Sequence, residues 1–320
     1  MISRRTFQIG GLSALAAVAA PNIVRAQAPA SGDAAIANRL VFTGTKAGPR
    51  VGGARANPSN LLVLDGVPFV IDCGYGTARS IVNAGVRLPD VRYIFITHHH
   101  SDHNLDYGNI VNAAWSSGLN SAVRSFGPKG MKAITDLYWQ MNQFDVDTRI
   151  ADEGKPDPRK LLIASDIDEG VILELPGIKV SAIRVPHPPV VDSFAFKFET
   201  KVGTIVFSGD TAYSEKLAEF ARGCDILVHE SLFEPDIDKM VARIPFAATL
   251  KKHLMDSHTK TEDIGRVAQM AKPRLLVLSH LVPGDDPTIT DDMWLEGVRA
   301  HYSGKAVVAK DLMSINLPYV

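Results

Sequence analysis

The sequence predicts an α/β protein built as a four-layer αββα sandwich, with two sheets packed face to face and helices on the outside. Three observations carry this. The chain divides into two similar halves, each running from strands into helices; apolar alternation of period two gives way repeatedly to helical spacing; and 46% of the 320 residues are hydrophobic, enough for one large core. No segment recurs at a fixed period, which argues against a solenoid or propeller.

Residues 1–28 are expected to stand outside that domain. Ser3-Arg4-Arg5-Thr6-Phe7, a mildly apolar run over 9–20, and the small-x-small site Ala26-Gln27-Ala28 read as an export signal cleaved after Ala28. The arginine pair and the Ala/Gly-rich run resemble the twin-arginine signal, whose pathway carries folded proteins. Residues 29–320 are then expected as one hydrolase domain in the periplasm or secreted. Nothing later approaches the roughly 18 uninterrupted apolar residues of a membrane span.

Strands are expected over 40–43, 60–64 and 68–72, separated by glycine-rich turns as in a meander. Helix 77–84, strand 91–97 and helix 105–117 alternate after them. Helix 131–143 leads into a charged segment with Pro156 and Pro158, expected as a surface loop and lid. Strands over 178–185, 194–199 and 204–208, the last two joined at Gly203, make a second meander. Strands 226–229 and 275–279, helices 262–271 and 291–302, and a last strand over 306–309 complete the second half.

Lys and Arg number 34 against 35 Asp and Glu, so there is no net field to collect nucleic acid or an anionic membrane. Cys73 and Cys224, the only cysteines, lie in apolar strand-like runs and are expected as buried free thiols.

The chemistry concentrates where strand 91–97 ends. Thr97-His98-His99-His100-Ser101-Asp102-His103 places four potential metal ligands within six residues. Imidazoles with a carboxylate suit zinc first, with manganese or iron as the other candidates. This His-x-His-x-Asp-His pattern resembles the signature of the metallo-β-lactamase superfamily. Further motifs follow in the family's order: His187 in Val185-Pro186-His187-Pro188, Asp210 in Ser208-Gly209-Asp210-Thr211, and His280 in Leu278-Ser279-His280. By this resemblance one divalent metal takes His98, His100 and His187, a second takes Asp102, His103 and His280, and Asp210 bridges them. Asp72 resembles the acidic residue that holds a ligand histidine from behind. His99 is expected to project away from the ligand side, and His229, His253 and His301 to be structural or exposed.

Two metals in such a site share a hydroxide, acidify its parent water and clamp entering and leaving oxygens, so no protein nucleophile is required. Asp210 stands where β-lactamases of this fold resemble one another in having Cys or Ser. Phe42-Thr43-Gly44-Thr45, His229-Glu230-Ser231 and Ser257-His258-Thr259 instead resemble the ribonuclease Z-like branch, which includes phosphodiesterases and aryl sulfatases. That resemblance makes Glu230 and His258 a pair beside the metals, with Asp102, Glu230 and His258 as candidate catalytic residues. Transfer-RNA-processing members resemble one another in a long arm inserted before the bridging Asp, whereas here 22 residues separate His187 from Asp210. The expected substrate is therefore a small-molecule phosphodiester or aryl sulfate ester, with lactone or amide hydrolysis, or a non-catalytic metal-loaded module, as alternatives. Nucleic acid and membrane are not expected partners, and a homodimer is what the branch implies. Segments 139–157 and 233–254 are expected to line the mouth, with Phe144, Arg149, Phe233 and Arg243 as candidate substrate contacts.

Overall fold

A computed structural model describes residues 38–245 and 247–320; the expected signal over 1–28 lies outside the described residues. In chain order the first half contains β1 (Arg39–Gly44), β2 (Ser59–Leu64), β3 (Val67–Ile71), α1 (Thr77–Asn83), β4 (Tyr93–Phe95), α2 (Ser101–Asn104), α3 (Tyr107–Ser116), β5 (Val123–Gly127), α4 (Met131–Met141), α5 (Gln143–Glu153) and β6 (Leu162–Asp166). The second half contains β7 (Gly170–Leu175), β8 (Ile178–Arg184), β9 (Phe194–Thr200), β10 (Gly203–Phe207), α6 (Glu215–Phe220), β11 (Ile226–Leu232), α7 (Ile237–Val241), α8 (Leu250–Ser257), α9 (Thr261–Ala271), β12 (Leu275–Val282), α10 (Asp291–Arg299), β13 (Ala306–Val308) and β14 (Ser314–Asn316).

These strands form two mixed seven-stranded sheets, ordered β14-β1-β2-β3-β4-β5-β6 and β13-β12-β11-β10-β9-β8-β7. Alternation along each strand decides which layer a side chain joins. Leu40, Phe42, Leu62, Phe69, Ile71 and Phe95 point to the inner layer, where they meet Phe194, Phe196, Phe198, Ile205 and Val277 of the other sheet. Val41, Leu61, Val63, Val70 and Ile94 point outward under α1, α3 and α4, whose Ile81, Ile110, Val111 and Trp115 complete a second core. Val206, Leu227, Leu276 and Leu278 do the same under α6, α9 and α10. Each fully buried Phe or Leu removes enough apolar surface from water to contribute about 1.5–3 kcal/mol. Two of the helices begin at side-chain caps: Ser214 accepts from Leu217 N–H before α6, and Thr290 from Met293 N–H before α10.

The four-layer sandwich read from the sequence is thus the fold, with differences at its margins. The segment 144–157, expected as a loop and lid, is mostly the helix α5. Its charges fall at helical spacing, with Arg149 bonded to Asp145 at 2.9 Å and to Glu153 at 2.7 Å, and Val146 anchors it in the outer core of the first sheet. Strands β5, β6, β7 and β14 and helices α6 to α8 were not anticipated. Cys73 and Cys224 are both buried and unpaired. Among the described residues no helix is long and apolar enough to cross a membrane.

Candidate metal centre

Strands β3 to β6 run parallel, as do β10 to β13, and β8 shares the direction of β10 through two antiparallel pairings. Their carboxyl ends therefore open along common edges, the usual place for a site in open α/β sheets. Every predicted ligand sits there. Asp72 follows β3, His98 to His100 follow β4, His187 follows β8, Asp210 follows β10, and His280 lies within the end of β12. After His100 the chain turns at once into the single-turn helix α2, which brings Asp102 and His103 back beside His98.

Two local devices aim the donors. Opposite Glu230 and Ser231 of β11, strand β12 offers Ser279 and then Leu281, so His280 is the extra residue of a bulge, with φ of 45°. Gly209, at φ of 60°, lies so close to the Phe194 carbonyl that an added Cβ would approach its oxygen to 2.4 Å. No other residue lets β10 deliver Asp210 at that point.

The donor atoms converge into two overlapping sets. His100 Nδ1 lies 2.9 Å from His98 Nε2 and 3.3 Å from His187 Nε2. On the other side Asp102 Oδ2, His103 Nε2 and His280 Nε2 are separated by 3.5, 3.6 and 3.2 Å. A single atom belongs to both: Asp210 Oδ2 is 3.8 and 4.0 Å from His98 and His187, and 3.3 and 3.2 Å from His103 and His280. Donors held about 2.0–2.1 Å from one zinc-like ion lie roughly 3–3.5 Å apart, which is this spacing. Ring nitrogens so close to one another repel unless a proton or a cation lies between them. Asp210 Oδ1 and His280 Nδ1 are buried with no hydrogen-bond partner among the described residues.

The far sides of the rings fix which nitrogen faces inward. His103 Nδ1 donates to Asp72 Oδ2 at 2.9 Å, and His187 Nδ1 to the Ser257 carbonyl at 2.8 Å, leaving each Nε2 lone pair for the cluster. Burial, reinforced by its imidazole neighbours, keeps His98 well below the ordinary histidine range and His100 at about 4, and burial also lowers His187; neutral imidazole is the ligating form. Burial alone would raise Asp102, but His103 and His280 outweigh it and hold its carboxyl at about 2. His103 shows what the acids require. Burial disfavours its charge, yet Asp210, Asp72 and Asp102 together push it well above the ordinary range, as a buried cluster demanding positive charge does. This donor set fits a pair of divalent cations.

Glu230 and His258 stand beside the cluster. Glu230 Oε1 accepts from Thr259 N–H at 2.9 Å and Thr211 N–H at 3.2 Å, and His258 Nδ1 lies 3.3 Å from it. Burial would lower His258, but the charge and hydrogen bond of Glu230 raise it to about 9. His258 faces a cleft of about 400 Å³ that also exposes His100, Asp102, Asp210 and His280, while Glu230 lies behind His258, outside that lining.

The cleft's walls correct part of the sequence reading. Residues of 139–157 are absent from its lining, so Phe144 and Arg149 do not contact it. Phe233 packs into the outer core against Trp294, and Arg243 reaches Asp286 instead. Within 233–254 the lining falls to Met240, Ile244, Ala247, Leu250, His253 and Leu254. His253, expected as structural or exposed, borders the cleft with its ring 5.9 Å from that of His187 and its Nδ1 3.2 Å from Ser257 Oγ. Its spacing of four from Ser257 on α8 was the available signal. His99 stays outside both donor sets, His229 is buried with Nδ1 bonded to the Glu230 carbonyl, and His301 pairs with Glu262 at the surface.

Comparison with known proteins agrees with this geometry. The beta-lactamase superfamily domain model matches residues 68–281. Ribonuclease Z of Mycobacterium bovis is 25% identical over 266 residues, covering 82% of this chain and 92% of that protein. Among solved structures, the metallo-beta-lactamase fold protein YhfI from Bacillus subtilis superposes with a TM-score of 0.65 at 18% identity, covering 87% of this chain and 99% of its own. The short form of human tRNase Z gives 0.64 at 18% identity, over 88% and 99% respectively.

Proposed function

We propose that this chain, which belongs to the beta-lactamase superfamily, is a two-metal hydrolase of a small-molecule phosphodiester or aryl sulfate ester. The observation that carries the reading is the sharing of Asp210 Oδ2 between two donor sets drawn from both sheets. His98, His100 and His187 would hold one ion, Asp102, His103 and His280 the other, and Asp210 would bridge them. When bound, such a pair supplies Lewis acidity and a water acidified to near neutrality.

The chain's own residues supply the rest. Glu230 keeps His258 protonated through Nδ1, leaving Nε2 to hold a proton towards the leaving oxygen. The backbone donors of Thr211 and Thr259 fix Glu230 in turn, so the pair does not have to reorganise. Support for ester chemistry at phosphorus comes from the likeness to ribonuclease Z, whose name denotes cleavage of RNA phosphodiesters. Support for a small substrate comes from the cleft, whose size is that of a small-molecule site. Only β9, β10 and their connections fit between His187 and Asp210, which supports a substrate other than transfer RNA. Export by the signal over 1–28 to the periplasm belongs to the same proposal.

The test is turnover of bis(p-nitrophenyl) phosphate, p-nitrophenyl sulfate, a lactone and a β-lactam by the purified protein, with metal content measured on the same sample. Selective turnover of the phosphate or sulfate ester at about two metals per chain is expected. Turnover of only the lactone or β-lactam would move the assignment to carbonyl chemistry.

A further inference from the structure

One nearly buried charge in the cleft is used by nothing described so far. Lys46 is 3% exposed, and among the described residues its ammonium has no carboxylate within 4 Å. Its Nζ donates to the Arg50 carbonyl, a neutral acceptor. The nearest acids are engaged elsewhere: Asp102 Oδ2 accepts from Gly48 N–H at 2.8 Å and belongs to the metal cluster, and Asp285 pairs with Arg50 at 3.6 Å. The loop that carries Lys46 is held rigidly, since Asn57 Nδ2 donates to the Gly48 carbonyl at 2.5 Å. Burial, with the charge of Arg50, lowers the lysine's affinity for its proton by more than the more distant charges of Asp285 and Asp102 restore it. A buried ammonium with no directly paired carboxylate costs stability, and an anion arriving to meet it offsets that cost. Much of the remaining lining is of opposite character. Met240, Ile244, Leu250 and Leu254, with Val282, present an apolar surface to the same cleft.

We propose that Lys46 is the anion-recognising residue of this cleft, and that its substrate is a small monoanionic ester whose apolar group lies against the wall formed by α7, α8 and Val282. The inference rests on the ester-hydrolase reading above and narrows it. One unpaired ammonium matches one negative charge. Arg50 at the rim is already paired, so no second cation follows to track a neighbouring phosphate, as a polynucleotide would need. The metal cluster then meets the reacting centre while Lys46 selects substrates that remain charged there.

The experiment compares the metal-loaded wild-type protein with Lys46→Met, Lys46→Arg and Leu250→Gln. Kinetics use bis(p-nitrophenyl) phosphate, an anion, and a p-nitrophenyl dialkyl phosphate, its neutral counterpart. Calorimetry uses methyl phenylphosphonate, a monoanion with an apolar ring, and inorganic phosphate, with metal content and Tm measured on each sample. Lys46→Met should lower the anionic-to-neutral ratio of kcat/KM by about ten- to a hundredfold, mostly through KM, the loss expected for a hydrogen bond to a charged group. Methyl phenylphosphonate should weaken by a similar factor, with much of it restored in Lys46→Arg. Leu250→Gln should weaken the phosphonate and not inorganic phosphate. Equal loss on both phosphate esters, or phosphonate affinity indifferent to Lys46, overturns the proposal. If the wild type cleaves neither phosphate ester yet binds the phosphonate in a Lys46-dependent way, the hydrolase reading fails and the anion site stands. Absence of phosphonate binding by the wild type overturns the site itself.

Discussion

Replacing Asp72 by Asn changes one atom and tests how the cluster selects its metals. Asp72 lies at φ of 61°, a conformation Asn tolerates as well as Asp, so the backbone is not strained by the exchange. Its Oδ1 accepts from Thr97 N–H at 2.8 Å, and its Oδ2 from His103 Nδ1 at 2.9 Å. An Asn can keep only one of these bonds in its present sense. If its oxygen stays on Thr97, its amide N–H points at His103 Nδ1, which must then accept. The proton moves to Nε2, and the lone pair that faces Asp102, His280 and Asp210 is lost. If the amide flips, His103 keeps its tautomer, but the buried Thr97 N–H faces a donor and loses its acceptor.

Either arrangement puts the metal-competent state at a disadvantage of about 1–3 kcal/mol, the penalty for an unsatisfied buried polar group. That corresponds to roughly a 5- to 150-fold loss of affinity at one ion, in line with the effect of removing a carboxylate behind a ligand histidine. The assay is competitive titration against a chromophoric chelator, with metal content after dialysis at a fixed free-zinc level. One ion, the one held by Asp102, His103 and His280, should weaken while the ion on His98, His100 and His187 stays. Undiminished affinity for both ions in Asp72→Asn, with unchanged Tm, would refute the tautomer argument.

Asp210→Ala removes the shared oxygen, so the protein should retain at most one ion by elemental analysis and lose hydrolysis; full activity would sink the two-metal mechanism. His258→Ala should keep both ions and slow esters with poor leaving groups by about 10²–10⁴-fold, while affecting good leaving groups much less; a plot of log kcat against leaving-group pKa reads this, and parallel loss across the series would remove its role as proton donor. Chelation at a free-metal level first set about 100-fold above Kd should lower stability by about 2.7 kcal/mol per ion, seen as a fall in calorimetric Tm of several degrees; an unchanged Tm after verified metal loss would contradict a site that joins the two sheets.

The ligands were legible in the sequence because most are local. His98, His100, Asp102 and His103 fall in one strand end and one helical turn, and His187, Asp210 and His280 each close an apolar strand run. The inner and outer layers were legible too, since period-two alternation in the central strands encodes both faces. What failed was of two kinds. Edge strands such as β6 and β7 are short, partly exposed and charged, and that composition, which protects sheet edges, also weakens their signature. The walls of the cleft depend on contacts distant in sequence. Nothing in the local sequence singles out Lys46, and only the packing of its loop beside Asp102 and against 281–285 buries it. His253 is expected from the sequence only as structural or exposed, and it reaches the cleft because α8 lays it beside His187.

The centre also explains how one protein assigns different work to histidines of the same local build. His103 and His258 each present Nδ1 to a buried carboxylate, Asp72 and Glu230 respectively. Burial opposes charge on both rings, yet Asp210 together with Asp72 and Asp102 raises His103, and Glu230 raises His258, above the ordinary histidine range. What differs is the opposite nitrogen. His103 Nε2 faces Asp102, Asp210 and His280 within 3.5 Å, a seat where a divalent cation satisfies more charge than one proton does, so the proton is the species displaced. His258 borders the cleft with its ring 5.1 Å from that of His187 and 5.7 Å from that of His280, and there, outside the two sets proposed to hold the ions, the proton is the species retained. Ligand and acid are therefore separated by what lies beyond Nε2, since the carboxylate behind each ring is the same device.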